Sequence, residues 1–207
     1  MPFYNSINNP SNFSISFSKN PRNDFGIFAK GYFKSAESLK ETLLSQNQFS
    51  DYEAYPIVFL YRHSFELYLK NIIYSTILLS TFKGLSEIDL KLYNFHTLKP
   101  LAEKATKILK TLFANDRDLI NFSKKIVKVA KEFDEIDPDS YSYRYPINTK
   151  GEYSTKPNQI VNLESFSSEL GELLTNLGVI DFGIDIETSQ AQTLYEILES
   201  IKNDETN

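Results

Sequence analysis

Arg62, His63, Glu66 and Lys70 fall within nine residues of one another, and each carries a group that binds an anion or moves a proton. On an α-helix, at about 100° per residue, Glu66 lies about 40°, Lys70 about 80° and His63 about 100° from Arg62. All four therefore share one narrow stripe. Nearly everything around them is apolar, including Ile57, Val58, Phe59, Leu60, Tyr61, Phe65, Leu67, Leu69, Ile72 and Ile73. Two uses of such a stripe compete. On an exposed edge, Arg62–Glu66 and Glu66–Lys70 are i,i+4 ion pairs worth about 0.2–0.5 kcal/mol each. In a cleft, the same cations await an anion.

His96 and Arg144 extend the candidate chemistry. His96 precedes Thr97, which reads as the N-cap of a helix opening at Leu98, with Pro100 in its first turn. The partial positive charge of a helix N-terminus favours a neutral imidazole, which is a workable general base. The plainer reading is a surface histidine beside Tyr93 and Phe95. Arg144 sits among Tyr141, Tyr143 and Tyr145. One cation among three rings suits stacking on a nucleobase. Alternatively, Arg144 folds back to pair with Asp134, Asp137 or Glu66.

Composition narrows the chemistry further. Cys is absent, which excludes a disulfide framework, a thiolate metal site and a cysteine nucleophile. Two histidines cannot make a three-His zinc site, and neither metal nor cofactor is expected. With seven glycines the chain holds no G-x-x-x-x-G-K-[ST], G-x-G-x-x-G or G-x-S-x-G pattern. Phe95 to Lys131 carries nine basic residues against three acidic ones, whereas Glu152 to Asn207 carries two against eleven. Such asymmetry fits a polyanion site, a self-complementary interface or simply two solvated helix faces. No leading basic cluster with an apolar stretch marks a secretory signal, and no apolar run reaches 18 residues. A soluble cytoplasmic protein is expected.

The elements that must position these residues are helices. At 207 residues and 41% hydrophobic content, with 16 Phe and 13 Tyr, the chain suits one folded domain. Residues 1–24, rich in Asn, Ser and Pro, read as an arm; the alternation Phe13, Ile15, Phe17 is its one strand-like feature. Residues 25–203 read as a single helical domain. Apolar spacing predicts a helix over 27–44 and a central helix over 56–79, with Ser50 and Glu53 as a capping box. A short turn of helix is read at 86–93, and longer helices over 98–113 and from 116 to 136. A polar loop spans 137–158. Val161, Phe166, Leu170, Leu173 and Leu177 mark another helix, and Ser189 with Gln192 opens a final one. The expected fold is all-α, a bundle of about five main helices.

Three motifs then resemble a known family. Phe59-Leu60-Tyr61-Arg62-His63-Ser64-Phe65-Glu66-Leu67-Tyr68-Leu69-Lys70 looks like the F-L-x-R-H-x-x-E-L-x-L-K helix of a branch of bacterial HEPN-like proteins. His96-Thr97-Leu98 resembles their H-x-L helix start, and Tyr143-Arg144-Tyr145-Pro146 after Asp137 resembles their R-Y-P loop. The resemblance spans roughly residues 28–178. It implies a helical bundle that pairs as a homodimer, and an RNA-binding protein or metal-independent endoribonuclease, such as a toxin or antiviral-defence component with a partner protein from the same operon. The usual HEPN signature, Arg followed by His after four to six residues, is absent here. Under this reading His63 or His96 acts as base, Arg62 and Arg144 hold phosphate, Lys70 assists, Glu66 orients Arg62, and Tyr145 belongs to the substrate-binding loop. The rival reading is a non-catalytic interaction or regulatory module, antitoxin-like or scaffolding. In that case Arg62, His63 and Arg144 are sealed by Glu66, Asp134 and Asp137.

Overall fold

The computed structural model describes residues 13, 24–46, 48–82, 96–137, 140–155 and 160–205. They form five α-helices: α1 (Phe25–Leu44), α2 (Asp51–Phe82), α3 (Leu98–Leu112), α4 (Arg117–Ile136) and α5 (Leu163–Glu205). The expected all-α bundle is the observed fold; among the described residues the sole β feature is an isolated bridge between Ile147 and Tyr153. The helix read at 86–93 and the Ile15–Phe17 end of the alternating stretch lie outside the described residues. Phe13 is exposed.

α2 is the central helix, packed against α1, α3 and α5. Tyr61, Phe65, Leu69 and Ile72 are fully buried on it. It is apolar on several faces because each face meets a different neighbour. Phe65 lies 6.4 Å from Phe133 of α4, and Phe133 meets Phe166 of α5 edge-on at 5.9 Å, so the rings bridge three helices. The Ser50 N–H donates to the Glu53 carboxylate at 2.7 Å, one arm of the expected capping box. Pro56 lies inside the helix rather than at its start.

Two local expectations are corrected. Thr97 occupies the N-cap of α3 in extended conformation, but its side chain accepts no capping bond. Asp134 of α4 caps α3 instead, accepting from Leu98 N–H at 2.9 Å and Lys99 N–H at 2.7 Å. A carboxylate satisfies two orphan donors and opposes the helix dipole, which a hydroxyl does less well. The expected break before Ser189 is also absent. α5 runs unbroken for 43 residues, about 65 Å at 1.5 Å per residue. Ser189 Oγ donates to the Asp185 carbonyl at 2.9 Å within the helix, so its hydroxyl bonds backward rather than capping. Beyond Ala191, α5 meets α2 where Tyr195 packs 5.8 Å from Phe82, and leaves Leu194, Ile197, Leu198 and Ile201 about half exposed.

The polar loop after α4 folds into a compact turn. Ser142 N–H donates to Asp137 Oδ1 at 2.9 Å, and Ser140 takes a positive φ of 62°. A small hairpin follows, closed by Asn148 N–H to Glu152 O at 2.9 Å, with Gly151 at φ 79° where a side chain would be strained. Truncating Phe65 to Ala should destabilise the fold by about 3–5 kcal/mol in urea denaturation, as for a fully buried ring; a loss below about 1 kcal/mol would mean the ring is not in the core.

Candidate functional site

Helical geometry keeps Arg62, Glu66 and Lys70 on one side of α2, and the packing buries all three, at 0%, 1% and 5% exposure. Arg62 Nη1 donates to Glu66 Oε2 at 3.2 Å. Its Nη2 donates to the carbonyls of His96 at 2.8 Å and Asp137 at 3.3 Å. Nε lies 3.1 Å from Asp137 Oδ2, off the N–H direction, so this contact is Coulombic rather than a formed hydrogen bond. Lys70 Nζ donates to Glu66 Oε1 at 2.7 Å. Two buried cations thus face two buried carboxylates, and the charges balance. The cations Lys70 and Arg62 outweigh the burial that would raise the Glu66 carboxyl, and hold it below its ordinary range.

His96 joins this network from outside. Its Nδ1 stands 3.0 Å from Glu66 Oε1, and its side chain is 56% exposed. An ionised carboxylate can only accept, so the neutral imidazole carries its proton on Nδ1 and leaves Nε2 as the bare acceptor. This is the arrangement of an oriented general base. Burial pushes the Asp134 carboxyl up, while the N–H groups of Lys99 and Leu98 and the charge of Arg62 pull it back.

His63 turns away from the carboxylates. It stacks on Phe59 at 5.4 Å and meets Tyr32 edge-on at 4.6 Å. Burial holds its pKa below the ordinary value, and the charges of Lys70, Arg62 and Arg144 add to this against the pull of Glu66. The side chain is therefore a neutral ring in an aromatic stack. Arg144 also lies over the Phe59 ring, its guanidinium 5.5 Å from the centroids of Phe59, Tyr141 and Tyr145. Its Nε donates to the Ser140 carbonyl at 2.6 Å, fixing the head, yet the residue stays exposed. Among the described residues it forms no ion pair. Tyr145 is half exposed, while Tyr143 turns toward Tyr55, 6.4 Å away.

The six cationic, acidic and imidazole residues singled out in the sequence thus divide into two groups. Arg62, Glu66, Lys70 and His96 form one network, completed by Asp137. His63 and Arg144 both meet the ring of Phe59, one turn earlier on α2, with Tyr145 beside Arg144. Arg62 has no surface with which to touch a phosphate: it is fully buried, with Nη1 turned to Glu66 and Nη2 to the carbonyls of His96 and Asp137. The role of phosphate ligand expected for it does not fit this burial; it positions the turn that carries His96. The fold analysis also adds Asp134, whose place at the start of α3 could not be seen from spacing, since 36 residues separate it from Leu98. Among the described residues no cluster of His, Asp and Glu suited to a metal ion occurs. Comparison of the chain with known protein families, curated proteins and solved structures yields no match.

Arg62→Ala should cost about 3–5 kcal/mol, since it leaves the buried Asp137 carboxylate without its cation and the His96 and Asp137 carbonyls without their donor. Equilibrium denaturation reads this directly; a loss under about 1 kcal/mol would show that the network contributes little. His63 should titrate below about 6.5 in an NMR pH series. Because its folded pKa is depressed, the unfolded chain takes up this proton first. The contribution of His63 to stability is then present above about pH 6.5 and lost as the pH falls toward the folded value.

Proposed function

We propose that this chain is a HEPN-like RNA-binding protein that cleaves RNA without metal, with His96 as the base. The observation that carries the reading is the Glu66–His96 contact: a buried carboxylate meets Nδ1 of an exposed imidazole and so orients the ring. In RNA the nucleophile is internal. His96 Nε2 takes the proton of a ribose 2′-OH, the oxygen attacks the adjacent phosphorus, and the 5′-oxygen leaves with a proton from water, giving a 2′,3′-cyclic phosphate. Arg144 supplies an exposed, fixed guanidinium for the phosphate, and Tyr145 a ring for a base. Lys99 follows His96 by three residues, and Lys107, Lys110, Lys124, Lys128 and Lys131 continue an exposed basic set along α3 and α4. Such a set draws a polyanion from solution. A toxin or antiviral-defence role, acting as a homodimer or with a partner protein, would accord with this activity.

A second reading rests on the seal around Arg62. If the network serves architecture alone, the protein is a non-catalytic interaction module. One experiment separates the two. Purified protein with single-stranded RNA and EDTA should release cyclic-phosphate ends, and His96→Ala should lower the rate by about 10²-fold or more with an unchanged thermal midpoint. Arg144→Ala should weaken RNA binding and flatten its salt dependence by about one phosphate contact. An absence of cleavage, or full activity in His96→Ala, removes the nuclease assignment and leaves the module.

A further inference from the structure

Tyr52, Tyr55 and Phe59 recur at three- and four-residue spacing over the first turns of α2. At about 100° per residue they share a stripe about 60° wide, which runs about 10 Å along the helix at 1.5 Å per residue. Burial divides the stripe. Phe59 is half-buried, with His63 stacked on its ring and Arg144 over it. Tyr55 and Tyr52 are open, at 45% and 71% exposure.

The loop after α4 lays its own rings beside this stripe. Tyr143 packs 6.4 Å from Tyr55, and Tyr141 packs 5.7 Å from Tyr145, which is half exposed. Arg144 joins the two groups, 5.5 Å from the ring of Phe59 on α2 and from that of Tyr145 in the loop. The Ser140 carbonyl fixes its Nε, and among the described residues its Nη groups meet no carboxylate. A fixed cation with open rings on either side suits a ligand in which anions alternate with flat rings, which is the constitution of a nucleic acid strand. A proline-rich peptide also docks on rows of tyrosine, but it brings no anion to Arg144. In a duplex the base faces are already covered by their neighbours, so only an unpaired strand can offer them. Asp51 and Glu53 adjoin Tyr52 in the first turn, and Glu53 is engaged by the Ser50 N–H. Tyr52 therefore presents a ring without a cation, suited to a base rather than to a phosphate.

We infer that Tyr55 and Tyr52 continue the RNA site along the start of α2 as a stacking track for unpaired bases, with Arg144 holding a phosphate between the bases on Tyr55 and Tyr145. The inference rests on the RNA reading and names its substrate as unpaired strand.

The test measures binding rather than cleavage. The full chain is titrated into fluorescein-labelled oligouridylate with 2′-O-methyl riboses, which lacks the nucleophile, and into the duplex of the same strand with oligoadenylate, followed by anisotropy. The single strand should bind tighter than the duplex by about tenfold or more. Tyr52→Ala and Tyr55→Ala should each weaken it by about fivefold to a hundredfold, as the loss of one stacked base requires, with the salt slope unchanged because no phosphate contact is lost. Tyr55→Phe keeps the ring face and should bind like the original chain. Tyr52 is the more exposed, and its variant carries the test should Tyr55→Ala fail to fold. Equal affinity for strand and duplex, or unchanged affinity in both alanine variants, overturns the track while cleavage by His96 is still read by its own assay. Binding of decaproline that the two alanine variants weaken, with RNA affinity untouched, assigns the rings to a protein partner and also overturns it. Absence of RNA binding in any form removes the RNA reading and the track together.

Discussion

One guanidinium with no accessible surface holds three separate stretches of this chain together. Arg62 rises from the middle of α2 and meets Glu66 on its own helix, the His96 carbonyl before α3 and Asp137 after α4. Burying such a charge is costly, and the cost is offset here only because acceptors converge from all three segments. The turn before α3 and the loop after α4 share that anchor. The second link between them, Asp134 on the first N–H groups of α3, closes the same end of the α3–α4 hairpin. An arginine is needed rather than a lysine, because only a fork of donors reaches several acceptors in fixed directions.

The anchor divides the polar residues into an inner and an outer layer. Inside, Arg62, Lys70, Glu66 and Asp137 cancel one another's charge. Outside, the exposed side chains of His96 and Arg144 are each fixed by a contact with the protein, His96 by Glu66 and Arg144 by the Ser140 carbonyl. Preorganisation of this kind is what a binding or catalytic surface requires, and an isolated surface histidine lacks it. A purely architectural network would need no imidazole at its rim. The argument for chemistry therefore rests on His96 rather than on the arginine that first drew notice.

Much of the fold was legible because helical periodicity is local. Phe65, Leu69 and Ile72 recur at helix spacing, and α2 is where they place it. The stripe of Arg62, Glu66 and Lys70 was legible for the same reason. Its burial was not, since that depends on Asp137, which lies 75 residues away. Thr97 had the right chemistry for a cap, but a carboxylate from another helix won the position. Ser189 and Gln192 carried a capping pattern inside a helix that never stops, because Ile184 is buried before it and Tyr195 packs on Phe82 after it.

The reach of the Arg62 contacts also bears on the order in which the molecule assembles. The bond to the His96 carbonyl spans 34 residues and that to the Asp137 carbonyl spans 75, whereas the pairs with Glu66 and between Glu66 and Lys70 are local to α2. Closing a longer loop costs more chain entropy, and the contact that repays it forms only when α3 and α4 are already docked. The tyrosine-rich loop hangs from the longest of these closures. Arg144 and the rings around it therefore take their places only once α3 and α4 have docked on α2.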